Sequence, residues 1–490
     1  MAVMKTKKTT TEAMLINVGQ IDVVTGTYIK GRRGENILMG GLDSVYVIMG
    51  PGNSYKSTIL HHFTLTAANR MMASIKDEKR KDELYISSFD TEMNMKFARL
   101  NSFLSKQEYL RKDMLIGLQP KWLVLTKADV PADLWVSDFR DYVFERSREK
   151  KIEYTAFIDP YTEKPYTTLI PNFGQIDSMA EFETSTSMDM LAKSKKDNND
   201  TATYYLKDGL FKSKFIGELP RLTRISNMYL GYVTHTGESK GIGENKYAPP
   251  EKQNQYLKGD TKIKGGTSKT NYLTLLSFYA NTAVSLKNKT TKLPEYPRSE
   301  VEEYDTDLNL IRLTLLRSKS GPSGAITELV VSQDEGVLES LSSFRYIKVS
   351  QNNFGIIGND RNYSVVFIPE LSLRRTNIRT LLEKNEHLQR AVEILERLKK
   401  MQYYMSYYNS IMVSPEELYK GLIEKGYEWK TLLNTRGWWT IDNYTSDLKP
   451  YLSELDLLLM YHDSYIPFWL EKDKKTVKKE WKKHFDNLTE

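Results

Sequence analysis

V-Y-V-I-M-G-P-G-N-S-Y-K-S-T, residues 45–58, is an apolar run that stops at a glycine turn and passes into lysine, serine and threonine. The run that follows, I-L-H-H-F-T-L-T-A-A-N-R-M-M (59–72), has the character of a helix. A strand, a tight turn and a helix in that order make an anion site. The first N–H groups of a helix lack internal partners, and the helix dipole adds partial positive charge there. The spacing approaches the phosphate-loop pattern G-x-x-x-x-G-K-S/T, with Tyr55 in the second glycine position. On this reading Gly50, Pro51, Gly52, Asn53, Ser54, Tyr55, Lys56, Ser57 and Thr58 wrap the phosphates of a nucleoside triphosphate. Gly50 and Gly52 let the backbone curl, Lys56 reaches the β/γ-phosphates, and the Ser57 hydroxyl ligates Mg²⁺. Tyr55 is expected in a backbone conformation that a non-glycine residue tolerates. The competing reading is a glycine turn beside a surface lysine.

Two downstream segments extend the site. In Y-I-S-S-F-D-T-E-M-N (85–94) an apolar strand ends in Asp90 and Glu92, and a carboxylate at a strand's C-terminal edge can orient and deprotonate water. In I-D-S-M-A-E (176–181), Asp177 ends a strand and is a candidate to hold the metal through water. Either acid also suits a plain helix cap.

Apolar runs at 45–49, 83–89, 167–177, 228–234 and 282–286 alternate with helix-like segments, which predicts an α/β core around a mostly parallel sheet. R-L-T-L-L-R-S (312–318) and E-L-V-V-S (328–332) predict a hairpin that extends this sheet. Residues 183–218 are polar, and 236–272 hold eight glycines or prolines; both predict mobile loops. Residues 375–401 have helical apolar spacing at Leu381, Leu388, Val392, Leu395 and Leu398, and the last 120 residues predict a mainly helical lobe.

The 490 residues suffice for two or three domains. Cysteine is absent, which excludes disulfides and thiolate chemistry. No apolar run reaches the roughly 18 residues of a membrane span, and the N-terminus lacks the apolar stretch of a secretory leader. A net charge of +7 permits a polyanion partner without requiring one.

Taken together, these motifs resemble the RecA-like strand-exchange recombinases, most closely the UvsX type of tailed phages. The match runs in order over about residues 36–350. M-G-G-L-D-S-V-Y-V-I-M-G-P-G-N-S-Y-K-S (39–57) is similar to that type's G-G…G-P-x-x-S-F-K-S, which also carries an aromatic before the lysine. F-D-T-E (89–92) resembles the strand that ends in the catalytic glutamate, and I-D-S-M-A (176–180) its second motif. Y-V-T-H-T-G-E-S (232–239) resembles the strand ending in a polar sensor, with Thr234 where the family carries Asn. I-K-G-G-T-S-K-T-N-Y (263–272) resembles the exit of the second DNA-binding loop, and L-L-R-S-K-S-G (315–321) the basic pair that reaches a neighbour's ATP.

The resemblance implies a RecA-like P-loop ATPase core over 36–350; the residues outside it read as an N-terminal segment over 1–35 and a mainly helical C-terminal domain over 351–490, whose last 120 residues the resemblance does not cover. It implies Glu92 as catalytic base, Lys56 on the phosphates, His235 as the sensor, and Arg317 and Lys319 as trans-acting phosphate contacts, with ATP and Mg²⁺ (Ser57, Asp177) as cofactors. The implied activity is DNA-dependent ATP hydrolysis by filaments on single-stranded DNA, promoting strand exchange in recombination, repair and recombination-dependent replication. Implied partners are single- and double-stranded DNA, further copies of the chain, and phage mediator and single-strand-binding proteins, in the cytoplasm of a bacterial host and away from membranes. The lysines at 193, 195, 196, 240, 262, 264 and 269 would then meet DNA phosphates, and Tyr204, Tyr205, Tyr247 and Tyr256 would stack on bases or pack within the loops. The basic tail around Trp481 is read as a docked helix or a gateway for duplex DNA. The alternatives are a hexameric replicative helicase on the same core, and a nucleotide-gated adaptor without turnover.

Overall fold

The structure is a computed structural model. It describes residues 14–75, 77, 80–93, 97–110, 123–127, 130–149, 153–194, 201–238, 254–259, 261–264, 268–288, 290–298, 307–349, 354–359, 362–441, 443–444 and 448–470. The chain is mixed α/β around a central sheet of eleven strands. Nine of them run side by side: Gly336–Val337, Ile326–Ser332, Leu308–Arg317, Leu276–Ala280, Val45–Gly50, Met228–Glu238, Asn172–Asp177, Ile86–Asp90 and Leu123–Lys127. From Leu276–Ala280 onward all neighbours are parallel; the first three strands are antiparallel.

The opening stretch explains why Val45–Gly50 lies inside this sheet. All six of its residues are buried, as suits a strand covered on both faces. Its period of two sends Tyr46 and Ile48 into one core with Ile59, Leu60 and Phe63 of the following helix. Val45, Val47 and Met49 enter the opposite core with Trp135, Phe139 and Phe215. The register sets Gly50 beside His235 and Asp90 beside Asp177, so the carboxyl ends of four parallel strands share one edge.

Several expectations change. Residues 167–177 are two strands: Pro165–Thr168 pairs with Glu153–Ile158 in a separate hairpin, and only Asn172–Asp177 joins the main sheet. Pro171 separates them, having no N–H for a ladder. The parallel strand expected at 282–286 is Leu276–Ala280, while Val284–Ser285 makes a short antiparallel pair with Leu310 and Asn309. The 312–332 hairpin forms as expected, with Arg312 opposite Glu328.

The polar stretch 183–218 carries two helices among the described residues, Ser185–Ser194 and Thr201–Ser226. Phe211, Phe215, Leu219 and Leu222 give the second helix an apolar stripe against Trp135 and Phe139. That stripe starts late and continues past the polar window. Within 236–272 the described residues form the end of Met228–Glu238, a return strand Thr261–Ile263 and a short helix Ser268–Leu273.

The single helix expected at 375–401 is two, Ile378–Lys384 and Glu386–Tyr404. Asn385 between them is extended and accepts the Leu388 N–H at 2.9 Å. A three-stranded antiparallel sheet, Ile356–Asn359, Asn362–Val365 and Ile368–Leu373, precedes these helices. Val392, Leu395 and Leu398 share one apolar cluster with Leu341, Phe344 and Val330, and with Val23 and Leu38 near the start of the chain. Buried polar contacts fasten the same junction. Arg397 meets Asp22 at 2.9 Å and Arg70 meets it at 3.5 Å. Trp439 donates its indole N–H to the Leu15 carbonyl at 3.0 Å. Burial pushes the Asp22 carboxyl up to about 6 despite these two guanidiniums. Removing one partner of such a pair costs about 3–5 kcal/mol. Trp439 and Trp429 are core residues. Among the described residues no helix is long and apolar enough to cross a membrane.

Candidate functional site: a phosphate-loop cleft at the carboxyl edge of the sheet

The turn after Val45–Gly50 leads directly into the helix Lys56–Met72. Gly50 is required sterically, because a Cβ there would overlap the Ala280 carbonyl. Gly52 is not crowded. The left-handed positions of the loop belong instead to Asn53 and Tyr55, with φ of 56° and 54°. Asn tolerates this region; Tyr does not adopt it readily, at a cost on the order of 1–2 kcal/mol. Tyr55 is therefore held by its side chain. Its hydroxyl accepts from Asn309 Nδ2 at 3.0 Å and donates to Gln333 Oε1 at 3.2 Å.

Lys56 is 7 % exposed, and its Nζ donates to the Pro51 carbonyl at 2.6 Å and lies 3.4 Å from Ser54 Oγ. Desolvation holds its pKa below the usual lysine range, opposed by the nearby charges of Glu92 and Asp177. Ser57 donates its hydroxyl to Asp177 Oδ1 at 3.0 Å. The Asp177 carboxyl is pushed up to about 6, first by burial, then by the charges of Glu92 and Asp90, with the Ser57 hydrogen bond and Lys56 opposing. A buried carboxylate near two other acids and one lysine is short of positive charge. The adjoining hydroxyl and carboxylate are hard oxygen donors, so the pair fits Mg²⁺, which keeps water and phosphate oxygens for its other positions. Among the described residues no group of three or more His, Cys, Asp or Glu is arranged to hold a metal by itself.

Glu92 reaches the cleft by a strapped turn. The Thr91 N–H donates to the Asp177 carbonyl at 2.8 Å, and Thr91 Oγ1 and Ser178 exchange hydrogen bonds of 2.8 and 2.6 Å. The carboxylate lies 3.2 Å from His235 Nε2. The His235 carbonyl in turn accepts the Lys264 N–H at 2.7 Å, on the return side of the loop expected to bind DNA. Between the two acids left open at this strand end, Glu92 lines the cleft.

The cleft, of about 600 Å³, thus gathers Lys56, Ser57, Glu92, Asp177 and His235. It also brings in residues that no motif indicated. Arg99 donates from Nη2 to Thr58 Oγ1 at 2.6 Å and lies over the Phe103 ring. Asn309 and Gln333 close the side behind Tyr55. A second cleft of about 630 Å³ runs along the far side of the same helix, between His62, Phe103 and Trp438. Its cations are paired with carboxylates, Arg70 with Glu339 at 3.0 Å, Arg379 with Glu335 at 2.5 Å and Lys106 with Glu335 at 3.2 Å.

Arg317 and Lys319 are not at this cleft. Arg317 pairs with Ser277, which lies beside Val47, toward the amino end of Val45–Gly50. Its Nη1 donates to the Asn271 carbonyl at 2.8 Å, and Lys319 lies near Asp43. From Val47 to Gly50 is about 10 Å along the strand, and two strand spacings add about 10 Å sideways. Neither side chain meets the phosphate loop of its own chain.

Of the expected DNA contacts, Lys262, Lys264 and Lys269 are exposed. Tyr256 packs against the hairpin turn, where a Cβ on Gly324 would strike its ring. The backbone of Lys193 lies in the helix Ser185–Ser194, and that of Tyr204 and Tyr205 in Thr201–Ser226. Lys195, Lys196, Lys240, Tyr247 and the basic tail around Trp481 lie outside the described residues.

No protein-family model matches the chain, and no curated protein matches it. Among solved structures, a crystal structure of the RadB recombinase aligns at 11% identity over 61% of this chain and 92% of that one, with a TM-score of 0.32. A likeness that slight carries no argument about this chain.

Proposed function

We propose that the chain is an ATP-dependent recombinase of the RecA-like type, assembling as nucleotide-gated filaments on single-stranded DNA and promoting strand exchange. One observation supports the reading: Lys56, Ser57, Glu92, Asp177 and His235 share a cleft, while Arg317 lies two strands aside, in register with Val47, and does not line it.

The triphosphate lies over the loop, with Lys56 leaving the Pro51 carbonyl for its β/γ-oxygens and the first N–H groups of Lys56–Met72 facing the phosphates. Arg99 adds a second cation on the same side. Ser57 and Asp177 hold Mg²⁺, which neutralises phosphate charge when bound. Glu92 accepts a proton from the attacking water, and His235 holds the Glu92 carboxylate in place. Since the His235 backbone is bonded to Lys264, a change in the Glu92–His235 contact passes directly to the flank of the DNA loop. Arg317 and Lys319 complete the pocket of the next copy, so the γ-phosphate stabilises the junction and its loss weakens it.

The hexameric helicase uses the same cleft, so imaging separates the two. With single-stranded DNA and a non-hydrolysable ATP analogue, long helical filaments are expected. Closed six-membered rings would favour the helicase and overturn the recombinase reading.

A further inference from the structure

The end of the Leu308–Arg317 and Ile326–Ser332 hairpin is held from outside the central sheet, and the hold leads back to the phosphate loop. Arg379 is buried on the helix Ile378–Lys384, and its Nη2 donates to Asp307 Oδ2 at 3.1 Å and to Glu335 Oε1 at 2.5 Å. The Asp307 carboxylate in turn accepts the Gln333 N–H at 3.0 Å and the Ser332 hydroxyl at 2.8 and 2.7 Å. Its carbonyl accepts from Asn309 Nδ2 at 3.3 Å. Gln333 and Asn309 are the two partners of the Tyr55 hydroxyl, at 3.2 and 3.0 Å. Tyr55, left-handed at φ 54°, directly precedes Lys56. A buried guanidinium is thus joined to the phosphate loop through one carboxylate and two amide residues. Burial raises the Asp307 carboxyl, but hydrogen bonds from Ser332, Arg379 and the Gln333 N–H outweigh it and hold the group below its ordinary range, so it stays charged against Arg379.

We propose that Arg379 is a positioning residue for the cleft: through Asp307 it sets the two residues that hold Tyr55, so nucleotide binding and the seating of the helix Ile378–Lys384 are linked. The proposal rests on the cleft being a nucleoside triphosphate site. Ile378 and Leu382 anchor that helix in one apolar cluster with Leu388 and Leu395, so a shift of Asp307 is felt beyond the central sheet. With Arg379 in place the Tyr55 hydroxyl keeps both partners, and the unfavourable backbone before Lys56 is retained. Without it the hairpin end loosens, Tyr55 relaxes toward an ordinary conformation, and Lys56 is drawn off the phosphates. Such coupling is reciprocal. The factor by which a seated helix tightens ATP is the factor by which ATP steadies the helix.

The test joins equilibrium binding of a non-hydrolysable ATP analogue to hydrogen exchange at the amides of Ile378–Lys384. Tyr55→Phe and Arg379→Gln are each expected to weaken the analogue about five- to tenfold, the size of one hydrogen bond. The double variant should lose no more than either, where independent effects would multiply to about 25- to 100-fold. In wild type, saturation with the analogue should slow exchange in the helix by the same factor, about five- to tenfold, and in saturated Tyr55→Phe the helix should exchange at its nucleotide-free rate. Arg379→Gln that melts earlier yet binds the analogue as wild type does makes Arg379 a structural brace and overturns the proposal, as does a multiplied loss in the double variant. If Arg379→Gln does not fold, exchange in wild type and Tyr55→Phe decides alone: helix amides that ignore the bound analogue overturn the proposal. That result would leave the cleft reading standing, whereas wild type that binds no analogue sinks both.

Discussion

Lys56→Ala is expected to abolish nucleotide-dependent binding to single-stranded DNA and to weaken ATP binding about 10- to 150-fold. The range follows from the roughly 1.5–3 kcal/mol of a hydrogen bond to a charged group. Lys56 Nζ also spans the loop, at 2.6 Å from the Pro51 carbonyl and 3.4 Å from Ser54 Oγ, so its loss removes a brace as well as a charge. The fold should survive. Burial depresses the Lys56 pKa, which means that its charge costs stability in the folded chain, and alanine relieves that cost. Titration with a fluorescent ATP analogue and a thermal melt check both halves. Undiminished ATP affinity with wild-type assembly on DNA would contradict the role of the loop.

Glu92→Gln should separate binding from chemistry. The amide oxygen can still accept from His235, 3.2 Å away in the wild type, so the side chain keeps its place. It cannot take a proton. Turnover is expected to fall by about 10²–10⁴, the usual contribution of a positioned base, while ATP affinity and DNA binding persist. The substitution also removes one of the charges that raise Asp177, so the Asp177 pKa should move down from about 6 toward the ordinary carboxylate range. Carbon-detected NMR titration of that carboxyl reads the shift independently of catalysis. Unchanged turnover in Glu92→Gln would remove Glu92 from the chemistry, and absent turnover in wild type with DNA would favour the adaptor.

Much of this site was legible in the residues because its parts are local. V-Y-V-I-M is apolar at consecutive positions, as a strand covered on both faces must be, and the glycine turn and lysine follow within one short segment. Strand ends carrying Glu92, Asp177 and His235 could be located the same way, since parallel strands deliver their carboxyl ends to one edge. Arg99, Asn309 and Gln333 enter from a helix and a distant hairpin, and no local pattern announces them. Tyr55 was visible as a departure, but its left-handed backbone and its hydroxyl bonds depend on strands more than 250 residues away. The helices in 183–218 were hidden because their apolar stripe begins at Phe211, against Trp135 and Phe139, after a long polar lead. Pro171 marked a break that the surrounding apolar residues obscured.

On the proposed mechanism a second copy completes each pocket, and mixing two inactive variants tests this. Lys56→Ala lacks the phosphate cation but keeps Arg317; Arg317→Ala keeps the loop but lacks the residue offered to its neighbour. Each alone should hydrolyse ATP at background. An equal mixture with single-stranded DNA should recover about one quarter of the wild-type rate, because one junction in about four joins an intact loop to an intact arginine. A mixture as inactive as its components, or an Arg317→Ala protein that hydrolyses ATP at the wild-type rate, would contradict it.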